Sequence, residues 1–324
     1  MPPIRALVSA LLLGAATLAT AGCELTEVTT ADSRDVLVVE AVLRTDRVSQ
    51  EVLLHRTLQG ALIPGEDGAR VRVRAEGGRE IDFRQVPADD CLGGGTRLLR
   101  GEDTLTVQAS CYRSPETETS SWVEPGRSYE LLVETTRGER VRGTTRVPGA
   151  FELRGLRRAL RDQATGERRC FLPPRTELPL AWSASPGAWA YLTEMEVFGL
   201  RRVLAGSGIG VIPDPLRLVG VSVSESDTTV VVPSEVGVFD RFTYEQDLLR
   251  AIQGGFPADV QVHLTVVAAD RNFVNGVRGG QFNPSGSVRI SSVVGDGVGV
   301  FGSIVPRRLV MDVRGGRTSF PCLE

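Results

Sequence analysis

The chain has 324 residues and a formal net charge of −3 at pH 7, so it lacks the basic surplus of a nucleic-acid-binding domain, and we expect no nucleic-acid partner. All 37 basic residues are arginine, which excludes Schiff-base lysines, P-loop lysines and Ser–Lys dyads. The only histidines are His55 and His263 and no Cys-x-x-Cys pair occurs, which excludes HExxH metalloproteases and His-rich or Cys-based zinc sites. We therefore expect no cofactor, no metal site and no catalytic residue.

The N-terminus has the pattern of an export signal. Arg5 is followed by the uncharged segment 6–21, which is rich in alanine and leucine. That segment is shorter than the ~20 apolar residues of a membrane-spanning helix. A positive residue, an apolar stretch and small residues before a cleavage site are typical of a secretory signal peptide, so we predict one over residues 1–22.

The residues at the predicted cleavage site, Ala19-Thr20-Ala21-Gly22-Cys23, resemble a bacterial lipobox, although lipoboxes favour leucine where Thr20 stands. The resemblance implies that Cys23 is lipidated and becomes the new N-terminus. The polar residues that follow predict a lipidated tether over 23–34. We thus expect a membrane-anchored protein of the cell envelope. Ordinary cleavage after Ala21, which would leave Cys23 free, is the alternative.

The remainder of the chain predicts an all-β fold, because short alternating runs are separated by Gly, Pro, Asp and Ser. In Arg70–Ala75, valines alternate with arginines, which places one face in a core. Val123-x-Pro125-x-Arg127-x-Tyr129 resembles the tyrosine corner of immunoglobulin-like and fibronectin-like sandwiches. We predict such a β-sandwich over 35–148. Its predicted strands are 36–43, 50–56, 70–75, 80–86, 104–112, 128–135 and 140–147.

A second, mainly antiparallel β domain with one short helix is predicted over 150–324, after the junction Pro148-Gly149. Thr243 and Gln246 form a capping-box pattern that precedes an apolar stripe, and Gly254 ends it. His263 lies on the polar side of its strand. The other predicted elements are a hairpin of 216–223 and 228–232, a strand at 259–267, a polar loop at 270–287 and a final hairpin at 288–314.

Four cysteines remain besides Cys23. An even set in an oxidising compartment usually pairs, and four cysteines allow three connectivities. Pairing within each predicted domain gives the disulfides Cys91–Cys111 and Cys170–Cys322. Buried free thiols are the alternative.

The glycine run Gly295-x-Gly297-x-Gly299-x-x-Gly302 superficially resembles a dinucleotide-binding fingerprint. That fingerprint needs a helix after the glycines, whereas the valines and Pro306 here favour a strand. Glycines in strands mark bulges or close backbone approach, so we predict no nucleotide site.

Three pairs of stretches follow one another along the chain: 36–41 with 50–57, 68–73 with 123–131, and 283–284 with 295–303. Together they resemble a family of bacterial envelope lipoproteins that is defined only as domain of unknown function 4249. The resemblance implies outer-membrane accessory lipoproteins, often encoded near TonB-dependent receptors, and it implies no biochemical activity. The loop closed by Cys91 and Cys111 departs from the family pattern.

Three hypotheses about function follow. The one we favour is a non-enzymatic lipoprotein that acts beside an outer-membrane transporter as an accessory or binding partner. The second is direct capture of a glycan or peptide, with Trp182, Trp189 and Tyr191 as a stacking platform, although alternating aromatic residues in strands usually belong to a core. The third is a hydrolase that uses a pair of carboxylates.

Overall fold

The computed structural model describes residues 35–57, 62–91, 97–100, 103–107, 109–116, 120–222, 224–236, 244–278, 290–316 and 320–323. Asp35–Glu324 forms one compact unit. The predicted signal peptide, Cys23 and the tether lie outside the described residues. Within the described ranges, no helix is long and apolar enough to cross a membrane.

Strands dominate the described residues, and the all-β fold class is confirmed. Three short helices, α1 Leu200–Val203, α2 Gln246–Gln253 and α3 Arg271–Arg278, and one 3-10 turn, Ala88–Asp90, accompany them. The strands are β1 Leu37–Arg44, β2 Glu51–Arg56, β3 Leu62–Ile63, β4 Arg70–Ala75, β5 Glu80–Val86, β6 Arg97–Arg100, β7 Asp103–Val107, β8 Ser110–Arg113, β9 Ser128–Glu134, β10 Arg140–Arg146, β11 Leu153–Arg154, β12 Leu160–Arg161, β13 Arg168–Leu172, β14 Leu178–Trp182, β15 Ala190–Phe198, β16 Leu216–Val221, β17 Thr229–Val232, β18 Val260–Ala269, β19 Val293–Gly295 and β20 Gly297–Val313.

The first half of the unit follows the predicted alternation closely. Its strands are neighbours in the order β1-β2-β8-β5-β4-β9-β10, and β19 from the second half pairs with the last of them. Val71 and Val73 of β4 are buried and Arg70 and Arg74 are exposed. Tyr129 forms the predicted corner, because its hydroxyl accepts a hydrogen bond from the Glu124 amide at 2.9 Å and donates one to a backbone carbonyl. The predicted strand 104–112 is divided into β7 and β8, which belong to different sheets.

The longest strand, β20, joins the two halves of the chain. It pairs in parallel with β1 and, further along, with β13, while β18 pairs antiparallel on its other side. Gly299 lies where β20 passes against Val39, and a Cβ at this position, which has φ +143°, would collide with the Val39 carbonyl oxygen. The glycine run therefore serves close backbone approach within a sheet.

A single hydrophobic core cluster includes residues from both predicted domains, among them Leu131 of β9 and Met311 of β20. The β1–β20 pairing also carries one sheet across the two halves. The division at 148–150 stays a prediction, and in the described residues the two parts share a sheet and a core.

Both hairpins predicted for the second half are wrong. β16 pairs with β15, whereas β17 pairs with β14 in a separate three-stranded sheet. β19 pairs with β10, and β20 pairs with β1, β13 and β18. Turn residues between two strands favour a hairpin only locally, and here the strands that follow each other along the chain take their partners from elsewhere in the fold.

Two expectations about helices are also corrected. α2 begins at Gln246, directly after Glu245, so Gln246 stands at the first helical position and not at the third. Thr243, the other member of the predicted capping box, lies outside the described residues. The segment predicted as a polar loop from 270 contains α3. Asp270 caps α3 by accepting a hydrogen bond from the Phe273 amide at 2.8 Å, and Val274 packs in a small apolar cluster with Ile304.

Candidate functional site

An open cleft of about 1000 Å³ lies where β13, β18 and β20 run side by side near the C-terminal end of β20. We call it the Arg314 cleft. It combines three arginines, two aspartates and apolar side chains that are in part exposed. Its lining residues are Leu160, Arg169, Phe171, Arg202, Asp259, Val260, Gln261, Asp312, Val313, Arg314, Gly315 and Phe320.

The central feature of the Arg314 cleft is a cation stacked on an aromatic ring. Arg314 directly follows β20, and its guanidinium carbon lies 3.7 Å from the centre of the Phe171 ring in β13. The Arg314 amide donates to the Leu172 carbonyl at 3.1 Å, which fixes the backbone under the stack. Arginine stacks readily on aromatic faces because its guanidinium is planar and weakly hydrated.

A second feature is the carboxylate of Asp312, which is already bound. Arg169 donates two hydrogen bonds to it, at 3.0 and 3.3 Å, and Gln261 donates one at 2.8 Å. Burial opposes ionisation of this group, but these hydrogen bonds and the charges of Arg169 and Arg314 outweigh it, so the pKa of Asp312 lies below its ordinary value. Asp312 is therefore a fixed, ionised group that neutralises Arg169.

The opposite side of the cleft holds Arg202 of α1. Its guanidinium donates to the backbone carbonyl of Asp259 at 2.6 Å. Asp259 has a φ of +62°, a conformation that aspartate and asparagine tolerate better than most residues. Arg202 is therefore positioned by a neutral backbone acceptor.

The disulfide Cys170–Cys322 joins β13 to the C-terminal segment with a Cα–Cα distance of 5.0 Å. Beside it, the Phe171 amide donates to the Phe320 carbonyl at 2.8 Å and the Cys322 amide donates to the Phe171 carbonyl at 2.9 Å. The bridge thereby holds Phe320 as one wall of the Arg314 cleft.

His263 lies next to this site and not within it. Its Nε2 is 2.9 Å from the Gln261 side-chain oxygen, and its ring is 4.8 Å from that of Phe198. Gln261 thus links His263 to Asp312. His263 is half-buried on the polar side of β18, as the alternation predicts.

The aromatic platform expected from the sequence does not form. Trp182 and Tyr191 are buried, with ring centres 5.4 Å apart, and belong to the core. Trp189 precedes β15 and is 43% exposed, with the Arg271 guanidinium 5.3 Å from its ring centre. Two of the three residues thus face inward, as alternating aromatic residues in strands usually do.

The cysteines of the first half form the expected bridge, Cys91–Cys111, with a Cα–Cα distance of 6.1 Å. Cys23 lies outside the described residues. No cluster of three or more histidine, cysteine, aspartate or glutamate side chains that could hold a metal ion occurs in the described part of the chain.

Sequence analysis missed the residues of the Arg314 cleft. Side chains alternate between the two faces of a strand, so a buried Cys170 does place its neighbours Arg169 and Phe171 on the opposite face of β13. Nothing in the sequence, however, pairs β13 with a strand about 140 residues away, and that pairing brings Phe171 to Asp312.

Comparison with known proteins identifies a family for the first half of this all-β protein. Residues 24–172 match the model of a domain of unknown function (DUF4249), and over this range the chain belongs to that family, which confirms the resemblance seen in the sequence. The third stretch of that resemblance, 283–303, lies beyond the matched residues. The comparison with curated proteins finds no match.

Two similar solved structures are both alpha-2-macroglobulins. One, trypsin-activated and from Escherichia coli, has 8% identity and a TM-score of 0.20, covering 74% of this chain and 15% of that chain. The other is a mutant from Salmonella with 12% identity and a TM-score of 0.21, covering 90% of this chain and 16% of that chain. This chain spans less than a fifth of their length, and at these scores the likeness carries no argument.

Proposed function

We propose that the protein is a non-enzymatic lipoprotein of the outer membrane, anchored through Cys23, that acts beside a transporter as an accessory or binding partner. The observation that carries this proposal is that one chain has both an N-terminal export pattern and, further along, two disulfides. Disulfides persist in oxidising compartments such as the bacterial periplasm. A chain that carries both features fits the cell envelope.

The family match adds support for the anchor. It begins at residue 24, one residue after Cys23, the residue with which the mature lipoprotein would begin. Resemblance to this family implies a setting near TonB-dependent receptors, so a receptor of that class is the partner we propose.

The charged groups buried most deeply support a non-catalytic role, since each is used to hold the fold. Arg56 is bound by Glu66 and Glu139, and Asp270 caps α3. In the Arg314 cleft, Asp312 has a lowered pKa, whereas a carboxylate that acts as a general acid needs a raised one. Burial does raise the pKa of Asp270, but this carboxylate is held inside the fold by hydrogen bonds from Thr145 and the Phe273 amide. These contacts favour binding over a carboxylate-based hydrolase.

Direct ligand capture is the second candidate function, and the Arg314 cleft favours it. The cleft brings cations, a stacked aromatic ring and exposed apolar groups to one open surface. Because Trp182 and Tyr191 are buried, they cannot form the stacking platform expected for a glycan. In this hypothesis the Arg314 cleft is therefore the ligand site.

Cell fractionation tests the anchor. The wild-type protein should pellet with membranes after a high-salt wash, and Cys23→Ser should appear in the soluble fraction. Thr20→Leu, which brings the sequence closer to the lipobox pattern, is the matched control and should pellet. A Cys23→Ser protein that still pellets contradicts the proposed anchor.

Mild detergent extraction tests the partner. After crosslinking in intact cells, a TonB-dependent receptor should co-purify with the wild-type protein and be identified by mass spectrometry. A clean monomer in several mild detergents, with no crosslinked receptor, contradicts the proposed partnership and leaves the anchor result unaffected.

A further inference from the structure

We propose that the Arg314 cleft is a binding site for a carboxylate carried next to an apolar group, the chemistry of a peptide C-terminus that ends in an apolar residue. The site is independent of the anchor and of the transporter partner, because every residue that forms it lies between 160 and 320.

The donor that carries the proposal is Arg314. Its guanidinium covers the face of the Phe171 ring, so one flat face of the guanidinium contacts the ring and its N–H edge remains available to a ligand. Across the described residues, no hydrogen bond or ion pair occupies that edge. A stacked guanidinium is held in one plane, and it presents two parallel N–H donors that match a carboxylate.

The charges around Arg314 favour an anion. Asp312 neutralises Arg169 through two hydrogen bonds, whereas Arg202 is bound to a backbone carbonyl. Three arginines and two aspartates line the cleft, which leaves an excess of one positive charge. Asp259 is the carboxylate that opposes an incoming anion.

Apolar groups border the same cleft. Leu160 is 46% exposed, and Phe171 and Phe320 are half-buried. Burial of such surface favours an apolar group beside the carboxylate. The volume of about 1000 Å³ accepts one or two residues of a peptide in addition to solvent.

The disulfide Cys170–Cys322 holds this arrangement in place. It lies directly beside Phe171 and Phe320, the ring beneath the cation and one of the apolar walls. A wall held in the bound geometry lowers the ordering cost of binding.

The test uses three small probes and the full-length protein in detergent, with binding followed by ligand-observed NMR. N-acetyl-phenylalanine carries both a carboxylate and an apolar ring. N-acetyl-phenylalanine amide keeps the ring but lacks the charge, and acetate keeps the carboxylate but lacks the ring. We expect N-acetyl-phenylalanine to bind about tenfold more tightly than either. The amide can form only neutral hydrogen bonds, which are about half as strong as charge-assisted ones, and acetate buries no apolar ring. The affinity of N-acetyl-phenylalanine should fall with added salt.

Substitutions locate the site and check the sign of the charge effect. Arg314→Gln should weaken N-acetyl-phenylalanine about tenfold, and Asp259→Asn, which suits the same backbone conformation, should strengthen it about twofold. Arg84→Gln, at an exposed arginine of β5, is the control and should change neither binding nor melting temperature. Equal binding of the acid and its amide, no binding of any probe, or equal losses in Arg314→Gln and Arg84→Gln would overturn the proposal.

Discussion

Arg56 and Glu139, 83 residues apart, are joined by two hydrogen bonds of 2.9 and 2.5 Å between guanidinium and carboxylate. Glu66 accepts a third hydrogen bond from Arg56 at 2.6 Å, and the Arg56 side chain is only 2% exposed. This cluster ties β2 and the turn before β10 to the start of the described chain, because Asp35 lies within 3.8 Å of Arg56.

Loss of Arg56 should destabilise the protein strongly. Arg56→Met keeps most of the side-chain volume but leaves the carboxylate of Glu66 buried without its cation, which costs about 3–5 kcal/mol. Urea unfolding measures this loss. Arg127→Met, which breaks an exposed pair with Glu124, is the control and should change stability by less than about 0.5 kcal/mol. A loss below about 1 kcal/mol in Arg56→Met contradicts the role given to the cluster.

Part of this stability should depend on pH. The hydrogen bond from Arg56 is the largest cause of the lowered pKa of Glu139, whose ordinary value is 4.5. A carboxyl group whose pKa is lower in the folded than in the unfolded protein stabilises the fold at pH values above its pKa in the unfolded protein. This stabilisation is lost as the pH falls through the pKa of the group in the folded protein. Glu139→Gln should therefore destabilise the protein more at pH 7 than at about pH 3. An equal effect at both pH values would show that ionisation of Glu139 contributes nothing.

The contact between Thr145 and Asp270 should matter for α3. The Thr145 hydroxyl donates to the buried Asp270 carboxylate at 2.5 Å, and burial raises the pKa of that carboxyl even though hydrogen bonds oppose the rise. Thr145→Val removes a donor from a buried acceptor, which costs about 1–3 kcal/mol. Thr144→Val, one residue away on the exposed face of β10, should change stability by less than about 0.5 kcal/mol. Equal losses in the two variants would rule out the proposed contact.

The two disulfides should contribute unequally. Cys170 and Cys322 are separated by 152 residues, and Cys91 and Cys111 by 20. Because a closed loop restricts the unfolded chain more when it is longer, the chain-entropy model gives about 5 kcal/mol for the first bridge and about 3 for the second. Chemical unfolding of the two double cysteine-to-serine variants should show the larger loss for Cys170→Ser with Cys322→Ser. The reverse order contradicts this account.

Much of the first half was predictable because its signals are local. The alternating valines and arginines of β4 fix which face is buried, and the pattern around Tyr129 predicts the corner whose hydrogen bonds the structure contains. Within each strand, the period of two carries this information directly.

The second half was harder because its pairing is not local. β20 takes partners from both ends of the chain, so the turns on which the hairpin predictions relied do not decide its neighbours. α3 contains Asn and Gly and has poor helix propensity; it forms because Asp270 caps it and Val274 packs on the sheet. The Arg314 cleft was missed for the same reason, since Phe171 and Arg314 meet only through the β13–β20 pairing.

Mass spectrometry of the N-terminal peptide from the purified membrane fraction tests the central claim most directly, because it reports the chemistry of Cys23 itself. Tryptic cleavage after Arg34 releases the segment that contains it. The account predicts a peptide that begins at Cys23 and carries acyl chains on that residue. A peptide that begins at Gly22, with an unmodified Cys23, would contradict the account.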